Sequence, residues 1–121
     1  GVTKNKATAV SWFRKSAAAG DAGGQYNLGR CYYTGEGVTV NLKTARRWFK
    51  KSADQGDANA LCAMGTMLVN GEGGERDVKG AIALWEESAA NDDEDDDKDG
   101  SDARDNLDML YNALSDVDFV L

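Results

Sequence analysis

Two stretches of this chain decide its fold: "GVTKNKATAVSWFRKSAAAGD", residues 1–21, and "GVTVNLKTARRWFKKSADQGD", residues 37–57. Aligned without a gap, they are identical at 13 of 21 positions. A third copy, "GGERDVKGAIALWEESAANDD" at residues 73–93, shares 6 of 21 positions with the second. The intervening stretches also align, with "AGGQYNLGRCYYTGE" (22–36) over "ANALCAMGTMLVNGE" (58–72). The unit is therefore 36 residues long and reads as two segments joined by a glycine-rich turn. Self-similarity at such a period is the signature of a stacked-repeat architecture.

Each segment has the periodicity and punctuation of a helix. Leu42, Ala45, Trp48, Phe49, Ser52 and Ala53 recur at steps that put them on one helical face. Asn41 precedes this run as an N-cap, with Asn5 and Asp77 at the same place in the other copies. In the first copy the spacing predicts a helix over Thr8–Ala19. Gly56 and Gly20 follow the helix ends and suit a left-handed C-terminal residue. The pairs Arg14-Lys15 and Lys50-Lys51 lie toward the C-termini, where the helix dipole favours cations. The first segments start after Asp21, Asp57 and Asp102, carry Ala22, Tyr26, Leu28, Gly29 and Tyr32, and stop at Gly35-Glu36-Gly37 or Gly71-Glu72-Gly73. The chain has no proline, as expected of uninterrupted helices.

One helix pair of this size cannot bury its apolar face alone, whereas stacked pairs can. Gly29 and Gly65 sit mid-helix, where glycine costs about 1 kcal/mol against alanine. That repeated cost predicts close backbone approach of a neighbouring helix. Trp12, Trp48 and the offset Trp85 are expected to supply large apolar area between helices.

These residues resemble the Sel1-like repeat, a relative of the tetratricopeptide repeat with a longer turn between its helices. The matching features are Leu28-Gly29, Tyr32, the Gly-Glu-Gly turn, Val38, Ala45, Trp48-Phe49, Ala53 and Gly56-Asp57. The resemblance covers roughly residues 1–93. It implies an all-α fold: an α/α solenoid, a right-handed superhelix of antiparallel helix pairs. The expected parts are the second helix of a truncated repeat (1–21), repeats at 22–57 and 58–93, an acidic insertion (92–101), a terminal helix (102–114) and a tail (115–121). Because Gly1 aligns with the last residue of the turn, residues 1–121 are expected to be a piece of a longer solenoid.

Charge is uneven along the chain. Residues 1–57 carry 10 Lys and Arg against 4 Asp and Glu, a balance of +6; residues 58–121 carry 4 against 17, a balance of −13. The net −7 argues against nucleic-acid binding, which favours a basic domain. No long apolar run marks a membrane-spanning helix, and the first residues show no signal-peptide pattern. With no histidine, the commonest general base and every His metal site are absent.

The acidic insertion admits two readings. Asp95-Asp96-Asp97-Lys98-Asp99-Gly100 matches the front half of an EF-hand loop, with Asp95, Asp97 and Asp99 as calcium ligands. Position eight of that loop is Asp102 and position twelve is Asn106 instead of a bidentate Glu. These departures favour a solvated acidic loop, and any calcium affinity is expected to be weak. Cys31 and Cys62 lie in successive first helices at different repeat positions and read as small core residues.

By resemblance, the function is that of a protein-interaction scaffold or adaptor without a catalytic site or cofactor, binding a protein or peptide. In tetratricopeptide-like stacks the first helices line the concave side. Tyr26, Leu28 and Tyr32 are expected to pack inward, which leaves Asn27, Arg30 and Tyr33, with Thr66 in the next copy, as partner-binding candidates. The basic second helices (Arg14, Arg46, Arg47 and Lys50) form a rival convex site for acidic partners. Two further readings are a calcium-responsive module and a penicillin-binding or penicillin-hydrolysing enzyme. The latter is linked by resemblance to some cysteine-rich relatives, but no Ser-x-x-Lys or Ser-His arrangement is present here.

Overall fold

Local hydrogen bonding sets the helix boundaries. Asp21, Asn41, Asp57 and Asp77 have extended backbones, and each side chain accepts from the amide three residues on: Gly24 at 2.7 Å, Thr44 at 3.0 Å, Ala60 at 2.9 Å and Gly80 at 2.9 Å. The helices that follow are α2 (Ala22–Thr34), α3 (Leu42–Asp54), α4 (Ala58–Asn70) and α5 (Val78–Ala90), preceded by α1 (Val2–Ala18). Residues 105–112 form a further helix, α6. The computed structural model describes residues 2–91 and 105–112, the side chains of 2–4 excepted. Asp102 and the other predicted parts of 92–104 and 113–121 lie outside the described residues.

Gly20 and Gly56 take φ of 92° and 89°, the left-handed conformation expected of them. Asn5 is not an N-cap: α1 begins at Val2 and runs through it. The reason lies in what holds the true caps. The amides of Asn41 and Asp77 donate to the carbonyls of Tyr32 and Leu68 in the preceding helix, both at 2.8 Å. Among the described residues no preceding helix offers the Asn5 amide such a carbonyl, and α1 runs through it unbroken.

The helices stack in chain order, α1 on α2, α2 on α3, α3 on α4 and α4 on α5, with no strand among the described residues. This is an all-α solenoid of antiparallel helix pairs. Its core is a row of clusters. Val10, Ala17, Leu28 and Cys31 join α1 to α2. Ala45, Phe49, Met64, Met67, Leu68 and Ala81 run from α3 to α5. Ala53, Ala60 and Leu61 close the other end of that layer, and Trp85 and Leu107 hold α6.

The repeat unit also repeats its polar staples. Ser52, fully buried, donates to the Ala22 carbonyl at 2.8 Å, and Ser88 donates likewise to Ala58 at 2.8 Å. Gln55 donates to the Gly20 carbonyl at 3.0 Å, and Asn91 to that of Gly56 at 3.1 Å. The serines tie a second helix to the start of its own repeat, and Gln55 and Asn91 reach back to the turn that precedes it.

The mid-helix glycines do make close approach possible, but mainly to a ring. A Cβ on Gly29 would come within 2.7 Å of Phe49 Cδ1 and 3.3 Å of the Ala45 carbonyl. A Cβ on Gly65 would collide with the Trp85 indole, 2.7 Å from Cδ1. Trp85 thus occupies the place of Phe49 one repeat on, and its Nε1 donates to the Cys62 carbonyl at 3.0 Å. Trp48 is half-buried against the first cluster. Trp12 departs from expectation: it is 65% exposed, with Lys15 over its ring at 5.1 Å, and no described helix covers its side of α1.

Candidate functional site

A groove of about 210 Å³ lies between the first helices α2 and α4, floored by α3. Its walls are Tyr26, Arg30, Tyr33 and Thr34 on one side and Ala63 and Thr66 on the other, with Phe49 beneath. Helical spacing explains the set. Tyr26, Arg30 and Tyr33 are four and three residues apart, so they share one stripe of α2. The stripe stays open because the Phe49 ring, seated on Gly29, fills the space below it.

The aromatic walls are packed, not loose. The Phe49 ring centroid lies 5.7 Å from that of Tyr26 and 6.4 Å from that of Tyr33. The Tyr33 hydroxyl reaches both carboxylate oxygens of Glu72, at 3.0 and 2.8 Å, across 39 residues of sequence. That hydrogen bond, followed by burial, raises the Tyr33 pKa above its ordinary value of 10.0. Glu72 belongs to the turn after α4, whose backbone is held from α3: Arg46 donates to the carbonyls of Glu72 and Glu75, each at 3.1 Å. One wall of the groove is thereby tied to the second turn.

Three of the four sequence-predicted partner residues, Arg30, Tyr33 and Thr66, come together in this groove; Asn27 does not line it. Tyr33 offers its ring to the groove, since its hydroxyl is engaged with Glu72. Tyr26, expected to pack inward, is half-buried against the core and also lines the groove, while Leu28 is buried at 1% exposure. Ala63 stands 36 residues after Asn27 on the side expected to be concave, whereas Thr34 was not singled out from the sequence. Phe49 reads there as core, and it is core, 2% exposed, with one ring edge facing the groove.

A second groove, of about 240 Å³, lies one repeat on, between α4 and α6, and is lined by Val69, Trp85, Asn106, Met109 and Leu110. Val69 and Trp85 stand 36 residues after Tyr33 and Phe49. On α6, Leu107 is buried at 8%, whereas Tyr111 is 45% exposed and donates to Glu86 at 2.8 Å.

The rival basic surface is largely committed within the protein. Arg14 donates to the Tyr32 hydroxyl at 3.2 Å, Arg46 holds the turn, and Lys50 pairs with Asp54 at 3.1 Å. Lys51 lies over Trp48 at 4.7 Å. Cys31 is buried and Cys62 half-buried, and neither is in a disulfide. Desolvation first, then the Glu36 charge, raises the Cys31 pKa above 9.0. The predicted calcium ligands Asp95, Asp97 and Asp99 lie outside the described residues, among which no cluster of acidic or cysteine side chains could hold a metal ion. No described helix is long and apolar enough to cross a membrane.

Comparison with known proteins agrees with this geometry. The chain is similar to c5321, a protective antigen present in uropathogenic Escherichia coli strains displaying an SLR fold. The two share 34% identity at a TM-score of 0.80, over 89% of this chain and 22% of that one. It is also similar to a Sel1 repeat protein from Oxalobacter formigenes, at 30% identity and a TM-score of 0.75, over 88% of this chain and 41% of that one. Helicobacter pylori cysteine rich protein B shares the fold, at 22% identity and a TM-score of 0.67, over 71% of this chain and 65% of that one. This chain thus spans well under half the length of the first two structures. No curated protein matches it. A family model for the Sel1 repeat matches residues 1–21, 22–57 and 58–93, and the chain belongs to the Sel1 repeat family.

Proposed function

We propose that this chain is a non-catalytic interaction module whose protein partner lays an extended segment along the first helices, with the α2–α4 groove as its main contact. Sel1 repeat proteins are in general protein-interaction modules. The observation that carries the reading is the groove itself: an open recess walled by rigid aromatic rings beside an exposed arginine. Tyrosine and arginine are the residue types enriched at interaction hot spots. The second groove extends the same side of the stack by one repeat. The convex basic face is the weaker candidate, because Arg14, Arg46 and Lys50 already have partners within the chain.

The test is an affinity capture with the wild-type chain beside Arg30→Ala and the groove-filling Thr66→Trp, read by mass spectrometry. A protein retained by wild type and lost from both variants, with helicity and melting preserved, supports the groove. A partner retained equally by all three places the site elsewhere. Arg30→Ala combined with Asn27→Ala is expected to weaken that partner by about 1–3 kcal/mol, the range for charge-assisted contacts. Hydrolysis of nitrocefin by the purified chain would overturn the non-catalytic reading.

A further inference from the structure

We propose that the α2–α4 groove selects a segment that is both apolar and acidic: one apolar side chain seated against Phe49 and Ala63, with a carboxylate one to three residues along the chain paired to Arg30. This rests on the reading above that the groove is the partner site, and it names the chemistry of the segment that the site takes.

Among the seven lining residues Arg30 is the one that carries a charge. It is exposed, and among the described residues it forms no ion pair. Its guanidinium stands 5.9 Å from the Tyr26 ring centroid, a contact that steadies it at the rim. Three of the lining hydroxyls spend their protons within the chain. Tyr33 donates to Glu72, Thr34 to the Arg30 carbonyl at 2.9 Å, and Thr66 to the Cys62 carbonyl at 3.2 Å. Such side-chain bonds to a helix's own backbone leave the threonine oxygens as acceptors only. Glu72 is turned to Tyr33 and Asn70 and forms no ion pair with the arginine. The groove therefore presents a guanidinium fork above an apolar floor. A carboxylate satisfies that fork with two parallel bonds, while a lysine or arginine would meet a like charge.

The repeat sharpens the selection. Thr66 occupies the position of Arg30 in the next copy, and among the described residues no charged side chain lines the second groove. The carboxylate thus fixes the segment's register to the α2–α4 groove, and apolar residues suit the continuation along α6. The +6 balance of residues 1–57 adds long-range attraction for an acidic segment at this end of the stack.

The test is selection of phage-displayed random nonapeptides on the 121-residue chain. Enriched sequences are then synthesised with fluorescein and measured by polarisation. The expected result is Asp or Glu within three residues of Leu, Ile, Val, Met or Phe. Changing that acid to its amide should weaken binding roughly tenfold or more, as for loss of a charge-assisted bond. Arg30→Glu should turn the enriched sequences from acidic to basic. Thr66→Trp, or Thr34→Trp at the exposed rim should the first variant melt early, should abolish binding. Peptides that are lost with the groove-filling variants but show no acidic bias, or ignore Arg30→Glu, overturn this inference and leave the groove as the site. No enrichment, or peptides indifferent to both groove-filling variants, overturns the groove itself.

Discussion

The sharpest test of the packing is Gly65→Ala. Alanine in place of a mid-helix glycine favours the helix by about 1 kcal/mol, so propensity alone predicts a more stable protein. Tertiary packing predicts the reverse. The new methyl would overlap the Trp85 indole, whose Cδ1 and Cε2 would lie 2.7 and 2.9 Å away. Trp85 is 4% exposed and cannot swing into solvent without opening the α4–α5–α6 cluster. Its Nε1 bond to the Cys62 carbonyl, 3.0 Å long, would stretch as the ring retreats. Overpacking of a filled core costs about 1–3 kcal/mol, and a weakened hydrogen bond adds about 1 kcal/mol. Set against the helix gain of about 1 kcal/mol, the net is a loss of about 2 kcal/mol. For a chain of this size that lowers Tm by roughly 8 °C. Thermal circular dichroism at the helix band measures it. Gly23→Ala is the control: its Cβ would meet only the Asp21 carboxylate at 3.3 Å, so Tm should hold or rise. In the double variant Gly65→Ala with Trp85→Leu the smaller side chain leaves room, and the Gly65→Ala penalty should vanish relative to Trp85→Leu alone. A Gly65→Ala protein that melts at or above wild type would refute the reasoning, since the ring would then give way without cost.

Other expectations follow from individual contacts. Ser52→Ala and Ser88→Ala should each cost about 1 kcal/mol by chemical denaturation and add nearly independently, because each removes one buried staple in a separate repeat. Asp57→Ala should cost about 1 kcal/mol through loss of the cap on the Ala60 amide, and the same measurement on Asp57→Asn should show most of it restored. The raised Tyr33 pKa gives a pH signature. The folded state holds this proton more tightly than the unfolded state, so the Tyr33–Glu72 bond contributes fully below pH 10.0 and is lost as pH rises through the higher folded value. Stability should therefore fall more steeply between pH 10.0 and the folded value in wild type than in Tyr33→Phe. Because burial raises the Cys31 pKa, iodoacetamide at pH 8 should label Cys31 far more slowly in the native protein than in urea; equal rates would contradict its packing.

The sequence by itself determined the period, the helix pairs and their ends. Caps such as Asn41 to Thr44 and turns such as Gly56 are bonds and backbone angles within a few residues, so residue type and spacing encode them directly. It also placed Arg30, Tyr33 and Thr66 on a common side, because a 36-residue repeat puts equivalent helical faces in line. Tertiary structure alone decided which of those side chains are available. Tyr33 is bound to Glu72 from 39 residues away, and Arg46 reaches carbonyls 26 and 29 residues on. Trp12 and Trp48 share a repeat position, yet one is 65% exposed and the other half-buried, because Trp48 lies against the cluster between α1 and α2 and no described helix stands in that place for Trp12. Asn5 and Asn41 diverge for the same reason, since a cap held by a neighbouring helix needs that neighbour. A repeat sequence specifies each unit's own hydrogen bonds, but burial and free charge depend on what stacks beside it, and no periodicity within the unit records that.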